Sequence, residues 1–236
     1  MRGFGQYDGV ARAIERVGER WALLIVRDLL VGPRRYGDLK ASLPRIPTNI
    51  LADRLRELQE SGVVRRVPTV RGGYELTPLG RALEPVVVEL ERWGWSVLGD
   101  PGEEERLSHE GLAIALRSAF RAESAADEPA TEYVLHVGRA SVAASVDGRA
   151  LEVVPIGPDA VPQPRPTDRA DAAGSSVEFA LEPSELRDLI AGRADAATVP
   201  VLAGDAGAVA RFARTFRIDP VRPPEDAVGG AAASVA

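Results

Sequence analysis

The residues best placed to do chemistry lie between Arg34 and Arg71, and the chemistry they offer is recognition. Thr48 and Asn49 are adjacent: an asparagine amide can pair in bidentate fashion with an adenine edge, and a threonine can bond a base or touch a thymine methyl. Asp53 can accept from a cytosine amino group, or pair with Arg56 or Arg45, and the pairing is the simpler reading. Arg34, Arg35, Arg45, Arg54, Arg56 and Arg71 surround them with guanidinium groups of the kind that hold phosphate. Arg34 and Arg35 read equally well as a solvated loop, Arg45 is the better contact, and Arg54 and Arg56 suit phosphate better than bases. Of Arg65 and Arg66, one at most is expected to face DNA, because neighbours in a strand point to opposite faces.

Catalytic chemistry has little to build on. His109 and His136 lack the companion spacing of a zinc site or a nucleophilic triad; the first reads as a helix-start residue and the second as a structural residue of a strand. Gly72, Gly73 and Gly204 form neither a phosphate loop nor a dinucleotide fingerprint. Cysteine is absent, which excludes disulfides, thiolate metal sites and thiol redox switching. No enzyme, metal or cofactor is therefore expected.

The elements that must position these residues can be read from spacing. Leu51, Leu55 and Leu58 recur at helical intervals with Asn49, Asp53, Arg56 and Glu60 opposite, and Gly62 ends the helix. Upstream, Tyr36, Leu39 and Leu43 mark a shorter helix that stops at Pro44. Only Pro44-Arg45-Ile46 separates it from Pro47, so the two helices must cross, as in a helix-turn-helix. Val63 to Val67 and Tyr74 to Leu76 are β-rich and flank Val70-Arg71-Gly72-Gly73, which predicts a hairpin wing with Arg71 at its tip.

Val10, Ile14 and Val17 form a helical stripe before this unit, and Trp21, Leu24 and Leu29 a second, with Gly18 as the break and Trp21 as a core residue. After it, Thr77 caps a helix with Pro78 at its first position. Leu79, Leu83, Val86, Leu90 and Val97 follow nearly heptad spacing along that helix, and Pro85 should kink it.

Val10-Ala11-Arg12-Ala13-Ile14, Gly18 to Leu30, Gly32-Pro33-Arg34-Arg35-Tyr36, the helix Leu51 to Gly62 and Tyr74 to Leu83 closely resemble the HxlR-type winged-helix transcriptional regulators. The resemblance spans roughly the first ninety-five residues. It implies double-stranded DNA as partner and a homodimer built on the first and last helices, here Val10, Ile14, Leu83, Val86, Leu90 and Trp93. Two recognition helices would then meet a pseudo-palindrome about one helical turn apart. Several members of that family sense oxidants or electrophiles through a cysteine near the first helix; this chain has Tyr7 and Asp8 there.

A length of 236 residues predicts two domains. The net charge of −6 is an average over unlike parts: 16 basic and 12 acidic residues lie in 1–98, against 13 and 23 in the remainder. A basic part followed by an acidic one suits a DNA-binding domain joined to something that does not touch DNA. Aromatics at 5% are few, so alanine and valine must fill much of the core. No segment reaches the roughly 18 apolar residues of a membrane span, and no signal peptide is legible, so a cytoplasmic protein is expected.

Asp100 to Glu105 reads as a linker of Pro, Gly and like charges. Beyond it come a helix from Leu107 to about Ala122, a meander of Tyr133–Val137, Ser141–Val146 and Ala150–Val154, and a two-residue turn at Asp147-Gly148. An irregular stretch from Pro155 to Gly174 follows, then a strand at Val177–Leu181, a helix at Pro183–Ala191, a short segment at Val199–Leu202 and a last helix at Ala206–Phe216. This order, with Val146-Asp147-Gly148, Ser184 to Gly192 and Ala203-Gly204-Asp205, resembles sterol-carrier-protein-like domains over about residues 107–217. That resemblance implies a sheet covered by helices around an apolar ligand tunnel.

The expected fold class is thus multi-domain. Residues 1–99 form an N-terminal winged helix-turn-helix, 100–106 a linker, 107–218 an α+β sterol-carrier-protein-like domain, and 219–236 a disordered tail. The second domain would sense an apolar small molecule or, alternatively, serve only dimerisation or partner recruitment. An apolar cavity of several hundred Å3 would favour the sensor, and a filled core with an exposed apolar patch the partner reading.

Overall fold

Helix α1 (Gly9–Val17) begins where the Asp8 carboxylate accepts the Ala11 amide at 2.9 Å, which satisfies one of the first-turn donors. The structure, a computed structural model, describes residues 3–68, 73–157, 160 and 175–219. Helix α2 (Ala22–Leu30) is entered through Trp21, whose φ of +79° is the left-handed conformation that non-glycine residues seldom adopt. Trp21 is half-buried and packs against the core, as its spacing predicts, while Leu24 is exposed.

Helix α3 (Tyr36–Ser42) and helix α4 (Thr48–Glu60) form the helix-turn-helix, with Leu39, Leu51, Leu55 and Leu58 buried. Gly62 takes φ +74°, the conformation that ends a helix at least cost when no Cβ is present. Strands β1 (Val64–Val67) and β2 (Gly73–Leu76) pair antiparallel with Val64 opposite Leu76. Gly73 belongs to β2 rather than to the turn, and Arg71 lies outside the described residues.

Thr77 Oγ1 accepts the Gly80 amide at 3.1 Å and starts α5 (Pro78–Arg81), but the predicted single kinked helix is in fact two. The chain breaks at Ala82-Leu83 and resumes as α6 (Glu84–Gly94), with Pro85 in the first turn. Proline there loses no hydrogen bond, whereas in mid-helix it would have removed one.

Helix α7 (His109–Ala119) is shorter than the predicted 107–122. Ser108 caps it by accepting the Gly111 amide at 3.0 Å, and the chain then turns into a separate α8 (Ala122–Ala125). Its sequence spacing suggests one apolar side, yet it is buried on nearly every side, since α2 and α6 cover it on one flank and two strands of the next sheet on the other. The predicted linker is irregular, but the hydrophobic core runs unbroken through α7 from one half of the chain to the other.

That sheet has five strands in the order β5-β4-β3-β6-β7: β3 (Thr131–Val137), β4 (Ala140–Asp147), β5 (Ala150–Pro155), β6 (Ser175–Leu181) and β7 (Val201–Gly204). The first three form an antiparallel meander, β3 and β6 are parallel, and β7 is antiparallel to β6. Asp147 pairs with Ala150, so the turn residues are Gly148 and Arg149, one step beyond the predicted pair. Gly148 with φ +54° at the first turn position suits a two-residue hairpin.

Helix α9 (Pro183–Ile190), a 3-10 turn (Ala196–Thr198) and α10 (Gly207–Thr215) complete the α+β half. Beneath the sheet, Tyr133, Phe179, Phe212 and Phe216 form a ring cluster with centroids 4.5 to 5.8 Å apart, and none is more than 1% exposed. Four of the chain's few aromatics thus fill this interior. The stretch 161–174 and the predicted tail from 220 onward lie outside the described residues.

Candidate nucleic-acid interface

The N-terminus of α4 is held from two sides. Tyr36 Oη donates to the Thr48 carbonyl at 2.7 Å, tying the start of α3 to the start of α4. Lys40 Nζ donates to the Pro44 carbonyl at 3.1 Å and the Ile46 carbonyl at 2.8 Å, closing the turn between the helices. Spacing marks Tyr36 only as a residue of the shorter helix and gives Lys40, the one lysine in the chain, no role.

On this fixed frame Thr48, Asn49 and Ala52 are exposed, while Leu51, Leu55 and Leu58 turn inward. Asp53 accepts from Arg56 Nη2 at 2.9 Å, the simpler of its two readings. Arg56 remains largely exposed, with Glu60 3.9 Å away. Arg35 is exposed, and its guanidinium has no ion-pair partner among the described residues, while its backbone amide is held by Asp38 at 2.8 Å. Arg45 is exposed at the turn and pairs with Glu104 of the predicted linker segment at 2.5 Å.

Two predicted contacts are corrected. Arg34 is buried: its backbone exchanges hydrogen bonds with Tyr74 at 3.0 and 2.8 Å, adding a third short segment to the wing, and its side chain turns into the core. There Nη2 lies 3.2 Å from Glu110 Oε1 of α7, an ionic contact that leaves Nε and Nη2 without a well-aligned hydrogen bond. Arg54 is also withdrawn, paired with Glu57 and with Glu19 at 3.5 Å. In the wing, Arg65 pairs with Glu75 at 2.7 Å and Arg66 lies 5.6 Å from the Tyr74 ring centroid.

Beside Arg34 and Glu110 lies a second buried carboxylate. Asp28 accepts from Arg27 at 2.7 Å and from Ser42 Oγ at 2.5 Å, which fastens α2 to α3. Burial pushes its carboxyl above the usual range, partly offset by Arg27 and Ser42.

A different face of the same half carries apolar side chains. Val10 (71%), Ile14, Val86, Leu90 and Trp93 (60%) are exposed on α1 and α6, whereas Leu83 is half-buried against the core.

His136 and Ser141 meet in a way the spacing did not suggest. His136 Nδ1 lies 2.8 Å from Ser141 Oγ and Nε2 lies 2.9 Å from Glu178 Oε1, a hydrogen-bonded chain across β4, β3 and β6. His109 caps the same strand, its Nδ1 2.9 Å from the Ser141 amide. Among the described residues, no group of three metal-ligating side chains comes together, and no helix is long and apolar enough to cross a membrane.

Residues 16–100 match the family described as HxlR-like helix-turn-helix. YvaP of Bacillus subtilis, an uncharacterized HTH-type transcriptional regulator, is 40% identical over 86 residues, 35% of this chain and 80% of its own length. The chain belongs to the HxlR-like helix-turn-helix family. A second relative, an uncharacterized HTH-type transcriptional regulator of Mycobacterium tuberculosis, is 44% identical over 114 residues, 47% of this chain. The match spans about two thirds, 66%, of that relative's length. Among solved structures, quinone-bound YodB of Bacillus subtilis is 34% identical, covering 37% of this chain and 93% of its own, with a TM-score of 0.33. YvaP and the Mycobacterium tuberculosis relative are both named as HTH-type transcriptional regulators.

Proposed function

We propose that the protein is a homodimeric, sequence-specific DNA-binding transcriptional regulator. The observation that carries this reading is the exposed pair Thr48 and Asn49 at the start of a helix anchored by Tyr36 and Lys40. Anchoring matters because base readout requires the side chains to reach the major groove in one orientation. Arg35, Arg45 and Arg56 supply phosphate contacts around it and make binding salt-dependent.

The exposed stripe of Val10, Ile14, Val86, Leu90 and Trp93 is the dimer surface. An apolar face on the two helices that flank the helix-turn-helix supports it, because leaving such side chains in water is unfavourable. Two recognition helices then address half-sites roughly 34 Å apart. Sedimentation equilibrium tests the dimer: the native chain sediments as a dimer and Trp93→Arg as a monomer. A native chain that stays monomeric at micromolar concentration contradicts this assembly.

The C-terminal half is read as a sterol-carrier-protein-like domain, supported by its five-stranded sheet with α7 packed against β4 and β5 and α10 against β6. Its interior, filled by Tyr133, Phe179, Phe212 and Phe216, favours a structural or partner-binding role over an internal ligand tunnel. With no cysteine anywhere in the chain, control by thiol oxidation is excluded.

A further inference from the structure

Lys40 carries more charge than its place in the fold uses. The side chain is half-buried at the turn between α3 and α4, where Nζ donates to the Pro44 carbonyl at 3.1 Å and the Ile46 carbonyl at 2.8 Å. Both acceptors are neutral. Among the described residues, no carboxylate lies within ion-pair distance of Nζ, and its third N–H meets no acceptor.

Neighbouring cations are placed differently. Arg45 is paired with Glu104, Arg56 with Asp53, and Arg54 with Glu57 and Glu19. Lys40 instead has its ammonium fixed by two hydrogen bonds and its charge uncompensated, and the Ile46 carbonyl it holds is two residues before Thr48, the first residue of α4. An ammonium suits this position in a chain whose other basic residues are all arginine. Its three donors are spread so that two can bond the turn carbonyls while one points away, whereas the donors of a guanidinium lie in one plane.

We propose that the third partner of Lys40 is a phosphate of the DNA backbone, so that one ammonium both closes the turn and grips the strand beside α4. This rests on the reading of α4 as the recognition helix. For Thr48 and Asn49 to reach base edges, the start of α4 must enter the major groove, and the turn residues just before it then come against a bordering phosphate. Such a contact fixes the register of the helix on the duplex while adding salt-dependent affinity.

The test compares the full-length native chain with Lys40→Met and Lys40→Arg by anisotropy titration, on a mixed-sequence duplex and on the duplex recovered by fragment selection. Lys40→Met is expected to weaken both duplexes about eightfold near 50 mM salt and about twofold near 200 mM, lowering the salt slope by about one. Lys40→Arg keeps the charge and should keep the slope, with its loss confined to the selected duplex. One further measurement does not depend on the variants folding. Because the chain has a single lysine, labelling lysine with carbon-13 at Cε gives one resonance, which should shift when the mixed-sequence duplex is added to the native protein. A slope unchanged in a folded Lys40→Met, or a lysine resonance that bound duplex leaves in place, overturns the phosphate contact and leaves Lys40 as a brace of the turn. A native chain that binds neither duplex contradicts the recognition reading, and the phosphate contact with it.

Discussion

Arg34 Nη2 and Glu110 Oε1 lie 3.2 Å apart with their side chains only 1% and 7% exposed, so a buried ion pair joins the loop before the helix-turn-helix to the first helix of the C-terminal half. Removing one partner of such a pair strands the other charge in the core. Glu110→Ala is expected to cost about 3 to 5 kcal/mol in urea unfolding, while the double variant Arg34→Met, Glu110→Leu loses much less. Equal losses in the single and double variants would mean that packing, not charge, is what the pair provides.

Asn49→Ala should cost about 1 to 3 kcal/mol on the preferred duplex and relax preference at one base position. Arg35→Ala should weaken all duplexes alike and lower the salt slope by about one. Anisotropy titrations against specific and scrambled duplexes at several salt concentrations separate the two. Unchanged preference in Asn49→Ala removes that residue from base reading.

In the proposed complex, Glu104 would compete with DNA for Arg45. Glu104→Gln frees the guanidinium and removes a negative charge beside the recognition helix, and is expected to raise DNA affinity a few-fold, by about 0.2 to 1 kcal/mol. The gain should shrink as salt rises, since both groups are exposed. Weaker binding by the variant would show that the linker contact supports the docking geometry.

Burial raises the Asp28 carboxyl above its usual range, so between its unfolded and folded values the native chain holds a proton that the unfolded chain has lost. Its contribution to stability is therefore fullest below about pH 4 and is lost as pH rises through the folded value. Asp28→Asn has no such proton. The stability of the native chain minus that of the variant, from urea unfolding across pH 4 to 8, should fall with rising pH and then level; a rise would reverse the sign assigned to burial.

Local sequence was enough to place the helix-turn-helix. Three leucines at helical spacing, Pro44 and Pro47 around the turn, Gly62 at the helix end and Thr77-Pro78 at the next start each act within a few residues of themselves. Side-chain direction was less legible where distant partners decide it. Arg34 reads as a loop cation until Tyr74 captures its backbone and Glu110, 76 positions away, provides its counter-charge. Helix α7 carries no mark of burial on both flanks, because the covering comes from α2 and α6 on one side and β4 and β5 on the other. The Ser141, His136 and Glu178 chain is likewise set by strand register, with β6 brought beside β3 in parallel from 38 residues beyond it in the chain.

The most direct test of sequence-specific recognition by α4 is selection of bound fragments from genomic DNA with the full-length protein and, in parallel, with Thr48→Ala, Asn49→Ala. The native protein should enrich one inverted repeat whose half-sites lie about one helical turn apart, and the double variant should lose that enrichment while retaining salt-dependent, sequence-indifferent binding. Enrichment of the same repeat by both proteins, or of none by the native chain, would contradict the assignment of α4 as the reading helix.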